Sequence, residues 1–349
     1  MSVARYSYIN AKIRGFKSDM LTPEQWDALL GARDMYAALR VLDATSYGEI
    51  AKDFDESATP LEVEQALKLD FNRVLSEIQS DAPKSMQSIM NWITRKFQRE
   101  VVKPILRLYV TEKDQSIVER LLVPIEPFTT RVLLDLLNSK DLNEFISKIP
   151  DQYFRRLLES LIPQYEETGR LVIVEQTIDA NILENLHSEA RKLKGQDQEV
   201  TSKLTGVEID LVNFMTSLRT HFLGISPTDA ETLLLNAEFR LPRALCKEAL
   251  HARSFEERVK KLQESPYKTM ISQAWEVYQQ YESLYSFEHT FHKQIRTDSS
   301  DALLGYPFHF GIVLGFLNLK WYETLNLKAL MNGKADKLEP NIIQRALIL

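Results

Sequence analysis

The chain has 349 residues, with 43 Lys or Arg against 49 Asp or Glu, so its formal net charge is −6 at pH 7. This acidic balance argues against nucleic acid as the main partner, because phosphate binding rests on basic surface. The single cysteine, Cys246, excludes internal disulfide bonds and fits a reducing compartment. Only 11 glycines and 13 prolines interrupt a chain rich in helix-forming residues. This composition predicts an all-α protein.

A motif near the start of the chain, around Asp34, recurs around Asp141 and again around Ser254. Residues 137–149 align with residues 250–262 without a gap at an offset of 113 (250 − 137), and the first copy precedes the second by 107 (141 − 34). A fixed offset of this kind indicates one structural unit used several times. We therefore predict three similar helical segments that form a pseudo-threefold body: residues 1–112, 113–235 and 236–349.

Each copy of this motif begins with a residue type that caps helices. Asp34, Asp141 and Ser254 stand directly before apolar residues at helical spacing. An N-cap oxygen at such a position stabilises a helix by ~1 kcal/mol. We interpret the three residues as structural caps and the apolar stripe as core, rather than as parts of a catalytic site. A tyrosine closes each copy within one residue of register: Tyr47, Tyr153 and Tyr267.

A second motif follows the same offset of 113 (323 − 210), which carries Asp210 and Asn213 onto Glu323 and Asn326. We predict a structural role for both pairs rather than direct contacts with a partner. In that role their side chains bond to the backbone or to a neighbouring arginine such as Arg219.

The first segment departs from this second motif. It has Gln98-x-x-Val101 in place of the acid and the asparagine. The distance from the capping residue is also shorter, 67 residues (101 − 34) against 72 (213 − 141). The sequence therefore leaves open whether the first segment packs like the other two.

Four basic residues of the first segment recur every four positions and define a basic ridge: Arg95, Arg99, Lys103 and Arg107. Pro104 lies among them and lacks the N–H that a helix interior needs, so we expect it to interrupt and kink the helix near Glu100. Two interpretations of the ridge stay open. It is a solvated face with acidic neighbours, or it is a contact surface for an acidic protein or for lipid head groups.

Two segments bear on membrane insertion. The first ten residues lack the apolar core of a signal peptide, so we expect the chain to be made and kept in the cytosol. Residues 302–319 contain no acidic residue, lysine or arginine, as in a membrane span. Because Pro307 breaks this stretch, we predict instead a buried helix from about Phe308. Gly311 and Gly315 would let a neighbouring helix approach it closely.

Signatures of catalysis are absent from the sequence. It has no phosphate-binding P-loop, no dinucleotide-binding glycine motif, no G-x-S-x-G nucleophile elbow and no H-E-x-x-H zinc motif. The nearest metal-like spacing is Glu288-His289 followed by His292, and no cysteine or further histidine cluster offers the remaining ligands. We therefore predict no catalytic residue, no metal site and no cofactor.

Seven short segments, spread over nearly the whole chain, carry a family resemblance: Arg14–Lys17, Thr45–Gly48, Thr59–Leu61, Phe287–His289, Tyr306–Gly311, Leu317–Lys320 and Glu323–Lys334. The last segments resemble the C-terminal signature of the C subunit of the archaeal and bacterial V/A-type rotary ATPases. They also resemble the d subunit of the eukaryotic vacuolar ATPase. The earlier segments are similar to the N-terminal region of the same family and to a stretch that precedes its last unit.

This resemblance implies a funnel-shaped, all-helical protein of three similar lobes on the cytoplasmic face of the membrane proteolipid ring. It implies a non-catalytic rotor subunit, peripheral to the membrane, that couples ATP hydrolysis or synthesis to the transport of H⁺ or Na⁺. The implied partners are the central-stalk subunits and the proteolipid ring. Two other classes stay open: a helical-repeat adaptor unrelated to ion transport, and a helical enzyme, which would require a pocket with converging residues.

Overall fold

A computed structural model describes residues 2–111 and 123–349, so the predicted boundary between residues 112 and 113 lies outside the described residues. Within these two ranges the chain is helical and has no β-strand. One isolated bridge joins Ile125 to Phe128 there. The prediction of an all-α protein is confirmed.

Within each described range the helices follow one another with short connections. The helices in the range 2–111 are α1 Ser2–Ser18, α2 Pro23–Gly31, α3 Met35–Leu42, α4 Gly48–Ala51, α5 Pro60–Asp81 and α6 Gln87–Val110, with a 3-10 turn at Lys84–Met86. Those that follow are α7 Thr130–Leu137, α8 Leu142–Ser147, α9 Gln152–Thr168, α10 Leu171–Lys192, α11 Gln196–Phe222 and α12 Pro227–Thr232. The last are α13 Arg243–Leu250, α14 Phe255–Leu262, α15 Lys268–Tyr281, α16 Tyr285–Asp301, α17 Gly311–Ala335 and α18 Pro340–Ala346.

Local sequence explains several helix ends. Thr22 and Thr59 each accept a hydrogen bond from the N–H three residues later, where Gln25 or Glu62 bonds back to the threonine N–H. A proline follows each threonine at the first helical position, where a missing N–H costs nothing. Helix α9 ends at Thr168 and is capped by Gly169, whose φ of 63° lies in the left-handed region that favours glycine.

The chain divides into two compact units. One comprises the residues up to Asn10 together with Ala180–Leu319 and Ile348–Leu349. The other comprises Ala11–Asp179 and Lys320–Leu347. We refer to them as the 180–319 unit and the 11–179 unit.

The core of the 11–179 unit combines residues from its two separate stretches of chain. Helix α3 shows why it takes part, because it buries Met35, Ala38, Leu39 and Leu42, which lie on one helical face. The buried members of this core include Leu29, Leu39, Leu42, Tyr47, Val63, Leu67, Leu327, Leu330, Met331 and Ile343. Residues from near both ends of the chain therefore build one apolar cluster.

The 180–319 unit is built around α11. Nearly every residue of this helix from Leu204 to Thr220 is buried, and α13, α14 and α16 pack against it. Aromatic rings fill the space between these helices. The ring of Phe214 lies 5.0 Å from that of Phe291, which lies 5.1 Å from that of Tyr267.

The apolar stretch before Lys320 is a buried helix, as predicted. Helix α17 begins at Gly311 rather than at Phe308, and every residue from His309 to Leu319 is buried. The later start follows the irregular turn at Gly305, whose φ is 81°. Within the two described ranges, no helix combines the length and the apolar character that crossing a membrane requires.

The two glycines at the start of α17 meet neighbours at close range. A Cβ atom at Gly311 would lie 2.4 Å from Cγ1 of Val200, and one at Gly315 would lie 2.8 Å from the carbonyl oxygen of Ser299. A side chain at either position would therefore overpack this part of the 180–319 unit. The predicted close approach is confirmed.

Helix α6 runs from Gln87 to Val110 with Pro104 inside it, so the prediction that Pro104 interrupts the helix is wrong. A proline removes one backbone hydrogen bond, and burial of the flanking turns outweighs that loss. Val101, Val102 and Ile105, beside the proline, are all buried.

Candidate functional site

The three capping residues occupy the same place in their helices. Asp34, Asp141 and Ser254 precede α3, α8 and α14, and each side-chain oxygen accepts a hydrogen bond from the N–H three residues later, at 2.7, 2.8 and 3.1 Å. These contacts satisfy backbone N–H groups that a helix start leaves without partners. The geometry is that of a structural cap.

The tyrosines that close the three motif copies also share a local geometry. Each tyrosine N–H donates to the side-chain oxygen two residues earlier, at 3.1 Å for Tyr47, 2.9 Å for Tyr153 and 3.3 Å for Tyr267. The accepting residues are Thr45, Asp151 and Ser265. The same backbone contact therefore recurs at the three tyrosines, and the surroundings of their hydroxyl groups differ.

Asp210 on α11 is a fully buried carboxylate surrounded by neutral donors. The N–H groups of Phe239, Arg240 and Leu241 donate to it at 3.0, 2.7 and 3.1 Å, and the Tyr267 hydroxyl donates at 2.8 Å. Burial raises the pKa of Asp210 above its ordinary range, although these four donors act against the shift. Burial, and then the Asp210 charge, raise the pKa of Tyr267. The carboxylate fixes the loop before α13.

Asn213, one turn after Asp210, holds the same loop. Its amide donates to the carbonyl oxygen of Ala237 at 3.1 Å and accepts from the N–H of Leu235 at 2.8 Å. The predicted bonding to backbone is therefore observed for this pair. Arg219, named as a possible neighbour, instead pairs with Glu288 at 2.7 Å.

Glu323 on α17 is the corresponding acid of the 11–179 unit, and a lysine lies beside it. The Tyr47 hydroxyl donates to Glu323 at 2.6 Å, and the Leu21 N–H donates at 2.9 Å. Lys320 Nζ lies 3.0 Å from Asp70 Oδ2, 2.8 Å from the Tyr47 hydroxyl and 3.8 Å from Glu323 Oε1. Burial, and then the Glu323 charge, raise the pKa of Tyr47 well above its ordinary value.

The remaining member of the second motif, Asn326, is 3% exposed one turn after Glu323. All four residues of this motif are thus buried, which places them inside the protein rather than on a contact surface. Sequence reasoning missed Lys320 and Asp70. Lys320 stands three residues before Glu323, whereas Val207 stands three residues before Asp210. A charged residue in place of an apolar one was the sequence signal that could have identified Lys320.

The first segment lacks such a contact. Gln98 stands in the position of the acid, and its amide donates to the carbonyl oxygen of Glu126 at 2.6 Å. The hydroxyl of Tyr153 is buried without a hydrogen-bond partner, and the guanidinium of Arg95 lies 4.9 Å from the Tyr153 ring centre. Burial raises the pKa of Tyr153. Gln98, which stands where the other two segments have an acid, therefore has different hydrogen-bond partners from Asp210 and Glu323.

The basic ridge on α6 has acidic neighbours. Arg95 lies 3.2 Å from Asp151, Arg99 and Lys103 lie 3.5 and 2.8 Å from Asp179, and Arg107 lies 2.7 Å from Glu175. The side chains of Arg95, Arg99 and Lys103 are 22%, 17% and 20% exposed, whereas that of Arg107 is 58% exposed. These pairs join α6 to the start of α9 and to the part of α10 that lies in the 11–179 unit. A role as a contact surface stays a prediction.

The described residues hold no group of three or more His, Cys, Asp or Glu side chains that could bind a metal ion. His292 Nε2 lies 4.0 Å from Glu288, whose carboxylate is engaged by Arg219. Cys246 is buried, and burial raises the pKa of its thiol to about 12. The polar clusters described above bond to backbone or to one another, which is the arrangement of structural contacts.

Comparison with known proteins gives a consistent answer over nearly the full chain. The family described as ATP synthase (C/AC39) subunit matches residues 9–346. The A-type ATP synthase C subunit of Methanocaldococcus jannaschii is 23% identical over 349 residues, which cover 100% of this chain and 87% of the relative. That of Halorubrum lacusprofundi is 24% identical over 353 residues, which cover 98% and 97%.

The A-type ATP synthase C subunit of Haloferax volcanii is 23% identical over 351 residues, which cover 98% of this chain and 97% of the relative. These matches confirm the resemblance that the seven short segments carry. The chain belongs to the ATP synthase (C/AC39) subunit family.

Proposed function

We propose that this chain is a non-catalytic subunit of the central rotor of a V/A-type rotary ATPase, where it couples the central stalk to the membrane proteolipid ring. ATP hydrolysis in the soluble head would turn the stalk and drive the ring, and ion flow in reverse would drive synthesis. The observation that carries this proposal is the family match over residues 9–346. The proposal covers H⁺ or Na⁺, because the ion-binding carboxylate would belong to the ring.

The buried polar contacts support the proposal that this chain transmits torque. Such a part must resist deformation, and buried hydrogen bonds with every donor engaged favour one arrangement over its alternatives. Asp210 fixes a loop to α11, and Glu323 fixes the chain at Leu21 and Tyr47 to α17. A helical-repeat adaptor unrelated to ion transport is the alternative.

We further propose the funnel of three similar lobes, with segments at 1–112, 113–235 and 236–349. The order of helices supports it, because a short helix followed by a helix capped at Asp34, Asp141 or Ser254 recurs in each segment: α2 and α3, α7 and α8, α13 and α14. The contacts of two tyrosines also follow the repeat. The acid of the second segment meets the tyrosine of the third, and the acid of the third meets the tyrosine of the first.

The test of the function is affinity capture of the tagged chain from a mild-detergent membrane extract, with mass spectrometry of the partners and an ATPase assay on the isolated chain. We expect central-stalk and proteolipid subunits to be recovered, and no turnover by the chain alone. The same extract without the tagged chain is the control. Turnover by the isolated chain, or recovery of neither partner from an ATPase-containing extract, would contradict the proposal and favour the adaptor or an enzyme.

We propose attachment to the cytoplasmic face of the membrane through protein contacts, with the basic ridge as one candidate surface. Replacing both Arg99 and Lys103 with Glu should weaken attachment in a salt-sensitive way. Because both residues pair with Asp179, the substitution also removes internal ion pairs. The triple variant that adds Asp179→Lys restores opposite charges inside the unit. If the triple variant recovers both stability and attachment, the ridge acts through the fold and not as a contact surface.

A further inference from the structure

An open cavity lies in the 11–179 unit, between the start of α3 and the end of α17. Its volume of about 340 Å³ falls within the range of small-molecule sites. Three cations, Arg33, Lys334 and Lys337, line the cavity together with two acids, Asp34 and Glu56. The rest of the wall is largely apolar. We call it the Lys334 cavity.

Lys334 is a buried cation without a paired acid. The residue is 4% exposed, and its Nζ donates to the carbonyl oxygens of Leu30, at 2.6 Å, and of Ala32 at the end of α2. Among the described residues, no carboxylate forms an ion pair with it. Burial lowers the pKa of Lys334, and the charge of Asp34 acts against this shift. Because backbone carbonyls carry only partial charge, the buried ammonium still lacks a full opposite charge, which is costly.

The two acids of the cavity do not supply that charge. One oxygen of Asp34 accepts the Ala37 N–H at 2.7 Å, and the other lies 3.0 Å from Nε of Arg33. Asp34 and Arg33 therefore offset each other. Glu56 is exposed, and it alone is left to oppose Lys334 and Lys337. The cavity keeps an excess of positive charge.

Lys337 occupies a backbone position that favours glycine. Its φ of 54° lies in the left-handed region, and the N–H of Leu338 donates to the carbonyl oxygen of Gly333 at 2.8 Å. This is the hydrogen bond of a Schellman motif, in which glycine is the usual left-handed residue because it has no Cβ to clash. Strain at a residue that lines a cavity of ligand size points to a role in binding.

We propose that the Lys334 cavity binds a phosphate group, either free phosphate or the phosphate of a small ester. Lys334 and Lys337 would supply the opposite charge, and Arg33 would add further N–H donors. A phosphate monoester carries about −1.5 to −2 charges at pH 7, and its oxygens accept several hydrogen bonds, so it would compensate the buried ammonium. The apolar wall at Met35 and Tyr36 would contact the carbon part of an ester. The inference does not depend on the proposed function.

The experiment is titration calorimetry of the purified full chain with inorganic phosphate and, separately, with phenyl phosphate at constant ionic strength. Calorimetry is needed because phosphate also stabilises proteins without binding, by exclusion from their surface. We expect saturable binding at one site that weakens as salt rises. Binding of inorganic phosphate identifies the free ion as sufficient, and binding of phenyl phosphate alone identifies an ester. No saturable binding of either probe would overturn the inference.

Variants of exposed residues test the cavity without breaking the bonds of Lys334 to the end of α2. Lys337→Gly should weaken binding about tenfold, as expected for one lost hydrogen bond to a charged group, without lowering the unfolding midpoint. Glu56→Gln should tighten binding because it removes a repelling charge. Lys52→Gln is the matched control, since Lys52 is an exposed lysine of the same unit outside the cavity. Equal affinities of wild type and Lys337→Gly, or an equal loss in Lys52→Gln, would overturn the inference.

Discussion

The contacts of Asp210 and Glu323 place the same kind of group, a buried carboxylate that accepts a tyrosine hydroxyl, in two different surroundings. Around Asp210 the other donors are three backbone N–H groups. Around Glu323 they are one backbone N–H and the ammonium of Lys320, which also pairs with Asp70. The tyrosine contact is therefore the repeated element. The buried negative charge is compensated by backbone N–H groups in the 180–319 unit and mainly by a lysine in the 11–179 unit.

Lys320→Met should have the largest effect, because it removes the cation beside the buried Glu323 carboxylate and leaves Asp70 with Arg73 as its cation. Breaking a buried ion pair from one side costs about 3–5 kcal/mol. Urea unfolding of the variant measures the loss, and the double variant Lys320→Met/Asp70→Leu should recover part of it, since the Asp70 carboxylate no longer adds negative charge close to Glu323. Wild-type stability in the single variant would show that Lys320 does not compensate the charges of Asp70 and Glu323.

Asp210→Ala should cost somewhat less, because it leaves neutral donors rather than charges without partners. A buried donor that loses its acceptor costs about 1–3 kcal/mol, and water entering the space limits the sum over the four donors. The exposed Asp301→Ala in the same unit is the control in the same unfolding measurement. If Asp210→Ala proved more costly than Lys320→Met, the distinction between neutral and charged compensation would fail.

The tyrosines sharpen the comparison by adding Tyr153, the motif tyrosine of the second segment. Tyr267→Phe should cost about 1–2 kcal/mol, because Asp210 loses a hydrogen bond to a charged group. Tyr153→Phe should be neutral or slightly stabilising, because the hydroxyl that it removes is buried without a partner. Thermal or urea unfolding of the two variants gives this difference, and equal losses would show that the Tyr153 hydroxyl is engaged.

The smallest expected effect is a pH dependence. The folded-state pKa of Asp210 lies above its ordinary value of 3.8, so the folded protein holds this proton more tightly than the unfolded chain does. The resulting stabilisation is complete below the unfolded pKa and is lost as the pH rises through the folded pKa. The unfolding free energy of the wild type minus that of Asp210→Asn should therefore fall as the pH rises across this window. A difference that rises instead would mean that the four donors outweigh burial.

Local chemistry made the helix caps predictable from sequence. Asp34, Asp141 and Ser254 act on an N–H three residues away, so residue type and the apolar spacing after it carry the information. The buried helix before Lys320 was also predictable, because Pro307 breaks the apolar stretch and the remaining helix is too short to span a membrane. The continuity of α6 through Pro104 was not, because it depends on burial of the flanking turns.

Long-range partners were beyond sequence reasoning. Tyr267 and Asp210 are separated by 57 positions, and Tyr47 and Glu323 by 276. The repeat marked each tyrosine and each acid, but nothing in their spacing says which tyrosine meets which acid. The acids beside the ridge were hidden for the same reason, since Asp179 lies 76 positions after Lys103.

The core shared by both ends of the chain has a consequence for biosynthesis. Leu67 packs in the same cluster as Leu327, which is 260 positions later (327 − 67). At a synthesis rate of about 5–20 residues per second, roughly 13–50 s pass between the two leucines on the ribosome. During that interval the apolar residues of α2, α3 and α5 lack the core contacts that α17 and α18 later supply. The newly made N-terminal part is therefore the stretch on which molecular chaperones should act.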